Sequence, residues 1–98
     1  MVAFDIIELL KLELDMRNAS ESRVKQLEQL QQIAASKITR RGITLKLEDA
    51  GDVGLLVDFT AWLYRRRNQQ GTGAMPEHLR LDLNDRLIAE KARVTDDE

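Results

Sequence analysis

The sequence of 98 residues lacks cysteine and contains only one histidine, one proline and four aromatic side chains. Without cysteine the chain can form no disulfide and no thiol-based redox or metal site, which fits a reducing cytoplasm. The lone histidine, His78, has no second ligand or base beside it of the kind that a zinc site or a nucleophilic centre needs. The scarcity of aromatic side chains favours a helical core built from leucine and isoleucine.

Targeting and membrane signals are also missing from the sequence. No stretch reaches the roughly 20 consecutive apolar residues that span a bilayer. The first residues lack the basic start and apolar run of a secretion signal. We therefore expect a protein that neither spans a membrane nor is exported by a visible signal.

The acidic and glycine-rich segments do not form a recognisable ligand loop. Asp49 and Asp52 are more simply explained as helix caps than as calcium ligands, because the regular oxygen spacing and central glycine of a calcium loop are absent. Residues 51–54 and 71–73 carry glycines without the lysine and hydroxyl residues of a phosphate loop. We therefore expect no catalytic residue, no metal and no cofactor, and predict that the chain is not an enzyme.

The net charge of −2 hides a segregation of charge along the chain. Residues 1–15 are mainly acidic, residues 16–47 mainly basic, and residues 48–58 acidic again. Such alternation suits head-to-tail contacts between copies of one subunit, in which unlike patches meet. A simply well-solvated surface is the alternative explanation.

Apolar residues recur at helical spacing in four segments. The first covers residues 3–15. In the second, Asn18 and Glu21 form a plausible capping box, and Gly42 is a natural end. The stripe of this second helix comprises Val24, Leu27, Leu30, Ala34 and Ile38.

The third and fourth helices are predicted to start near Asp49 or Asp52 and at Pro76, and to end near residues 68 and 93. Each has a core side, comprising Leu55, Phe59, Trp62 and Leu63 in the third and Leu79, Leu83 and Leu87 in the fourth. Each also has apolar residues on the opposite side: Val57 and Tyr64 in the third, Leu81 and Ile88 in the fourth. A helix that is apolar on two sides is expected to be covered on two sides. We also expect Asp82 to pair with Arg86 four residues later.

The predicted fold class is all-α, a small bundle of about four helices. Residues 43–47 alternate apolar and polar side chains and could be briefly extended, either as a connector across the helices or as a segment that pairs with a neighbouring subunit. Residues 1–93 are predicted to form a single domain, followed by a mobile acidic tail at 94–98. Residues 69–74 are predicted to be a flexible loop.

Three consecutive arginines, Arg65, Arg66 and Arg67, could contact phosphates. On a helix they point about 100° apart, so they form no single reading face, and Arg66 is expected to lay its stem against Trp62. A small helical DNA-binding regulator is therefore the alternative to a structural role. A third interpretation is a helical adaptor that binds one partner helix between Tyr64 and Leu81.

At these residues the chain resembles a known family. Residues 52–67 read Asp-x-x-Leu-Leu-Val-x-x-x-Ala-Trp-Leu-Tyr-Arg-Arg-Arg, and the pattern continues through Met75-Pro76 and Leu79-Arg80 to Leu83-Asn84-x-Arg86-Leu87. This pattern is similar to small head–tail connector proteins of tailed bacteriophages, also called head-completion or adaptor proteins. The resemblance is clearest over residues 50–91.

The resemblance implies a structural subunit of the virion that is made in the host cytoplasm. Copies would form a ring, typically dodecameric, beneath the portal protein after DNA packaging, extend the DNA channel and present a docking surface for a tail or stopper protein. Non-specific contact with the packaged DNA would be compatible with this role. The residues that we expect at subunit or portal contacts are Val57, Tyr64, Arg65, Arg66, Arg67, Leu81 and Ile88.

Overall fold

The computed structural model describes residues 5–16, 18–68 and 74–96. Within these ranges the chain forms four helices: α1 (Ile6–Glu13), α2 (Glu21–Arg40), α3 (Ala50–Asn68) and α4 (Glu77–Asp96). The described ranges contain no strand, and the predicted all-α bundle is confirmed. None of the helices in these ranges is both long and apolar enough to cross a membrane.

The first two helices are fixed by local capping bonds. Asp5 precedes α1 and its carboxylate accepts the Glu8 amide at 3.2 Å. At α2 the cap is Ser20, whose hydroxyl accepts the Arg23 amide at 3.2 Å. The predicted cap at Asn18 is therefore wrong, because the helix begins at Glu21 and the side chain that reaches its free amides must come from the residue just before it.

The apolar stripe of α2 lies where its periodicity places it. Leu27, Leu30, Ala34 and Ile38 are buried against the rest of the bundle. Gly42 follows the helix with a φ of 100°, a left-handed conformation that glycine adopts without strain. The end of the second helix is thus the predicted one.

The segment after Gly42 is a connector and not a strand. Ile43 is buried in the core, and Leu45 packs against it in part. The segment is therefore laid across the helices of its own chain, which is the first of the two predicted alternatives.

Helix α3 occupies the centre of the bundle and packs against α1, α2 and α4. Asp49 caps it by accepting the Gly51 amide at 2.8 Å. Leu55 and Phe59 are buried, and Trp62 and Leu63 pack against the core in part. Val57, expected at a subunit contact, is only 6% exposed and belongs to the same core. The prediction for Val57 is wrong because both apolar sides of this helix are covered by the chain itself.

Helix α4 begins directly after Pro76 and buries Leu79 and Leu83, with Leu87 packed beside them in part. It continues to Asp96, beyond the predicted boundary between residues 93 and 94. The rest of the predicted tail, residues 97–98, lies outside the described residues, as do residues 69–73 of the predicted loop.

Candidate interaction surfaces

The first of the three arginines ties two helices of the same chain together. A guanidinium nitrogen of Arg65 donates to the backbone carbonyl of Glu13 at 3.2 Å and lies 3.4 Å from its carboxylate. Glu13 is the last residue of α1, where free carbonyls attract cations. Arg65 therefore anchors α1 to α3 within one chain. Its guanidinium serves this contact first, and not a contact between subunits.

The other two arginines point elsewhere, as the helical geometry requires. The Arg66 guanidinium lies 5.5 Å from the centre of the Trp62 ring, so the predicted partner is correct, although the guanidinium and not only the stem of Arg66 approaches the ring. Trp62 in turn meets Phe59 edge-to-face at 5.5 Å and donates its indole N–H to the Ala74 carbonyl at 3.2 Å. Arg67 is exposed and lies beside the outer face of α2. Of the three, Arg67 is the one most available to a partner.

Tyr64 is half-buried and engaged by α2. Arg23 donates to its hydroxyl at 2.7 Å, and the same guanidinium lies 5.6 Å from the centre of the ring. A cation over an aromatic face is a favourable contact. Tyr64 therefore joins α3 to α2, and the structure does not present it as the anchor of an open surface.

Among the α4 side chains that the structure describes, two large apolar ones, Leu81 and Ile88, are left uncovered by the chain. Leu81 is 48% exposed and Ile88 is 66% exposed. They are seven residues apart and therefore share one side of the helix, roughly opposite the buried Leu79 and Leu83. We call Leu81 and Ile88 the outer stripe of α4.

The strongest electrostatic feature is a network that the sequence did not indicate. Arg86 donates to both carboxylate oxygens of Asp52, at 2.7 and 3.2 Å, and to Glu90 at 2.9 Å. It also donates to the Thr44 carbonyl at 2.8 Å, while the Lys46 amide donates to Asp52 at 2.9 Å. The expected pairing of Arg86 with Asp82 is wrong, because Asp52 and Glu90 take its donors.

This network joins the connector, the first turn of α3 and the middle of α4. Burial alone would raise the pKa of Asp52, but hydrogen bonds from Arg86 and the Lys46 amide outweigh it and lower that pKa. The hydrogen bond to Asp52 raises the pKa of Arg86 despite burial. Each charged group of the network has an oppositely charged partner within hydrogen-bond distance. The network therefore has a structural role, and we call Arg86, Asp52 and Glu90 the clamp.

Asp58 is a second carboxyl group with a shifted pKa. It belongs to α3, and its carboxylate interacts with Glu13 of α1 and Asp82 of α4. Burial raises the pKa of Asp58, and the carboxylates of Glu13 and Asp82 raise it further, while His78 and Arg65 oppose the rise. Because the charged form is disfavoured in the folded state, ionised Asp58 opposes folding above its raised pKa, and this effect vanishes below the ordinary aspartate value.

Asp58→Asn is therefore expected to stabilise the chain at pH 7. The gain should shrink as the pH falls through the raised pKa of Asp58 and should vanish below the ordinary aspartate value of about 4, where Asp58 is protonated in both states. Urea unfolding of the variant and the parent at pH 7 and pH 3 measures this difference. Asp85→Asn, an exposed neighbour on α4, is the matched control. Equal effects of the two substitutions at pH 7 would contradict the expectation.

The described part of the chain holds no group of three or more histidine, cysteine, aspartate or glutamate side chains placed to bind a metal ion. Comparisons with protein-family models, curated proteins and solved structures found no match for this chain. The surfaces that remain for function are the outer stripe of α4, the carboxylates around Asp58 and the basic outer face of α2.

Proposed function

We propose that the chain is a non-enzymatic, structural subunit of the head–tail connector of a tailed bacteriophage. In this role copies form a ring beneath the portal protein after DNA packaging. The ring extends the DNA channel and offers a docking surface to a tail or stopper protein. The chain would be made in the host cytoplasm and act in the virion.

The observation that carries the proposal is the outer stripe of α4. Leu81 and Ile88 lie in the segment that resembles the connector proteins, and the chain's own helices leave both of them exposed. Exposed apolar side chains at helical spacing suit contact with another protein. Arg67 is the arginine of the triple that is left for such a contact, since Arg65 and Arg66 bind within the chain.

The structure narrows the interface that the sequence suggested. Val57 lies in the core and Tyr64 binds Arg23, so the support no longer includes a second apolar side on α3. Two features still support the proposal: the outer stripe of α4 and the segregated charge of the surface.

Leu81→Gln combined with Ile88→Gln is expected to abolish ring formation while leaving the thermal unfolding midpoint nearly unchanged. Both side chains contact mainly solvent in the single chain, so the substitutions remove little burial. The measurement is electron microscopy of the purified chain mixed with DNA-filled, tailless heads that carry the portal, together with a tail-attachment assay.

Arg80→Gln combined with Asn84→Gln is the matched control, because both residues are exposed on the same helix. This control variant should form the ring. No ring from the unmodified chain on portal-bearing heads would overturn the proposed function. Normal rings and tail attachment from the Leu81/Ile88 variant would show that the outer stripe does not carry it.

A further inference from the structure

A long concave face runs over α3 between α1 and α4. One cleft lies between α3 and α4 and another between α1 and α3, and the two share Ala50, Gly54 and Asp58. These residues are spaced four apart and form one strip along the helix. A Cβ atom at Gly54 would have no other part of the chain within 4 Å beyond its own helix backbone, so the middle of this strip is open. We call this face the α3 groove.

The α3 groove is apolar on its α1 side and acidic on its α4 side. Leu9 and Leu12 line the first side, and Leu12 is 78% exposed. Asp82 and Asp85 line the second, with Asp58 between them and α1. Within the described ranges no ion pair joins any of these three aspartates to a cation. The cations Lys46 and Arg86 line the same cleft, but aspartates outnumber them there. The groove therefore offers apolar contact and carboxylates without a direct ion pair.

The outer face of α2 has the opposite character. Ile33 is 42% exposed and is followed at helical spacing by Lys37 and Arg40, with Arg67 beside them. No ion pair within the described residues engages Lys37 or Arg40. We call Ile33, Lys37 and Arg40 the α2 ridge. Its length from Ile33 to Arg40 is about 10 Å, and the strip from Ala50 to Asp58 spans about 12 Å.

The α3 groove and the α2 ridge lie on opposite sides of the molecule. The C-terminal half of α2 meets α3 around Phe59 and Leu63. Leu63 is nine residues from Gly54, which places it about half a turn away around the helix axis. One chain therefore cannot bring its own ridge to its own groove, whereas two copies can.

We propose that the α3 groove of one copy receives the α2 ridge of the next. Ile33 would rest on the open strip at Gly54, and Lys37, four residues on, would reach Asp58, which is four residues from Gly54. The contact is heterologous, because it joins different surfaces on the two copies. Repetition of such a contact gives a closed ring or a filament. The inference deepens the proposed function, on which it rests, by naming the surfaces through which copies meet.

The absence of cysteine makes this contact directly testable. A chain carrying Ser36→Cys beside the α2 ridge and Gly54→Cys in the α3 groove is treated with a short bismaleimide at high protein concentration. We expect a ladder of dimers, trimers and larger species on a denaturing gel, and a weaker ladder as salt is raised, since salt screens the charges. Ser36→Cys paired with Asn84→Cys, outside the groove, is the matched control and should give several-fold less product.

A charge exchange tests which surfaces meet. Asp58→Lys with Asp82→Lys should abolish the ladder, and so should Lys37→Glu with Arg40→Glu. Mixing the first reversed chain, carrying only Gly54→Cys, with the second, carrying only Ser36→Cys, should restore a cross-linked dimer. Circular dichroism of each variant checks that it is folded.

Three outcomes would overturn the inference: a ladder no stronger than that of the control pair, no recovery on mixing the reversed chains, or Gly54→Cys linking to a different protein in assembled particles. The two proposals fail separately. A ring on portal-bearing heads whose subunits do not cross-link through this pair overturns the inference alone. A ladder from the free chain without any ring on those heads overturns the proposed function alone.

Discussion

Arg86→Ala is expected to lower the free energy of unfolding by about 3–5 kcal/mol, the usual cost of removing one partner of a buried ion pair. Arg86 serves two carboxylates whose side chains are nearly inaccessible, 4% for Asp52 and 8% for Glu90. Its loss leaves the buried Asp52 carboxylate without the guanidinium, and it removes the hydrogen bond from α4 to the Thr44 carbonyl. A domain of this size is typically stable by only about 5–15 kcal/mol, so a urea titration followed by circular dichroism will resolve the change.

Arg80→Ala is the matched control for Arg86→Ala. Arg80 lies on the same helix and pairs with Glu77 at 3.5 Å, but both side chains are exposed. Exposed pairs contribute about 0–1 kcal/mol, so this variant should unfold almost with the parent. Equal losses from the two variants would mean that the clamp does not stabilise the fold.

The difference between Arg86→Ala and the parent should also narrow in acid. The lowered pKa of Asp52 means that its contribution is present above the ordinary aspartate pKa of about 4 and is lost as the pH falls through the lower folded value. Without Arg86, burial raises the pKa of Asp52. Protonation of Asp52 in acid then removes its buried charge, so the variant loses less stability relative to the parent. Urea midpoints at pH 7 and pH 3 measure this convergence.

The sequence predicted the helices well because their signals are local. The stripe of α2 and the end of that helix at Gly42 depend on residues within a few turns of one another, and the structure has both. The contact of Arg66 with Trp62 is likewise within one helix, four residues apart, and Trp62 was predicted as the partner of Arg66 from the helical geometry.

The contacts of Arg86 and Arg65 could not be predicted in the same way, because they join segments that are distant in the sequence. Asp52 has a sequence position that suits a helix cap, and nothing near it reveals that Arg86, 34 residues later, will bind it. Similarly, the sequence shows that Arg65 is cationic, but its partner Glu13 is 52 residues away. Periodicity gives the direction of a side chain, and only the tertiary fold gives its partner.

The same limit explains the error at Val57. Periodicity showed that α3 is apolar on two sides, and the second side was assigned to a neighbouring subunit. In the structure α3 packs against α1, α2 and α4, so three helices of the same chain surround α3. The two-sided pattern of α4 has a different outcome, because Leu81 and Ile88 stay exposed. One sequence pattern thus led to a core position in one helix and to a surface position in the other.

Val57→Asp and Ile88→Asp are expected to separate these two outcomes in a single experiment. Val57 is 6% exposed among apolar neighbours, so a carboxylate there has no partner and must either lose its hydration or stay protonated. We expect a loss of about 4 kcal/mol or more, enough to unfold a marginal domain at moderate urea concentrations. Ile88 faces solvent, and the same substitution should change the unfolding free energy by less than about 0.5 kcal/mol.

The assembly readout of the same pair tests the assignment of α4. Ile88→Asp should remain folded and yet fail to join a ring on portal-bearing heads, because a charge on the outer stripe would be desolvated at the contact. Val57→Asp should fail at the earlier step, folding, and should regain stability as the pH falls toward protonation of the introduced carboxylate. If Val57→Asp folded as well as Ile88→Asp, the covering of α3 by its own chain would be refuted. The second apolar side of that helix would then again be available to a neighbouring subunit.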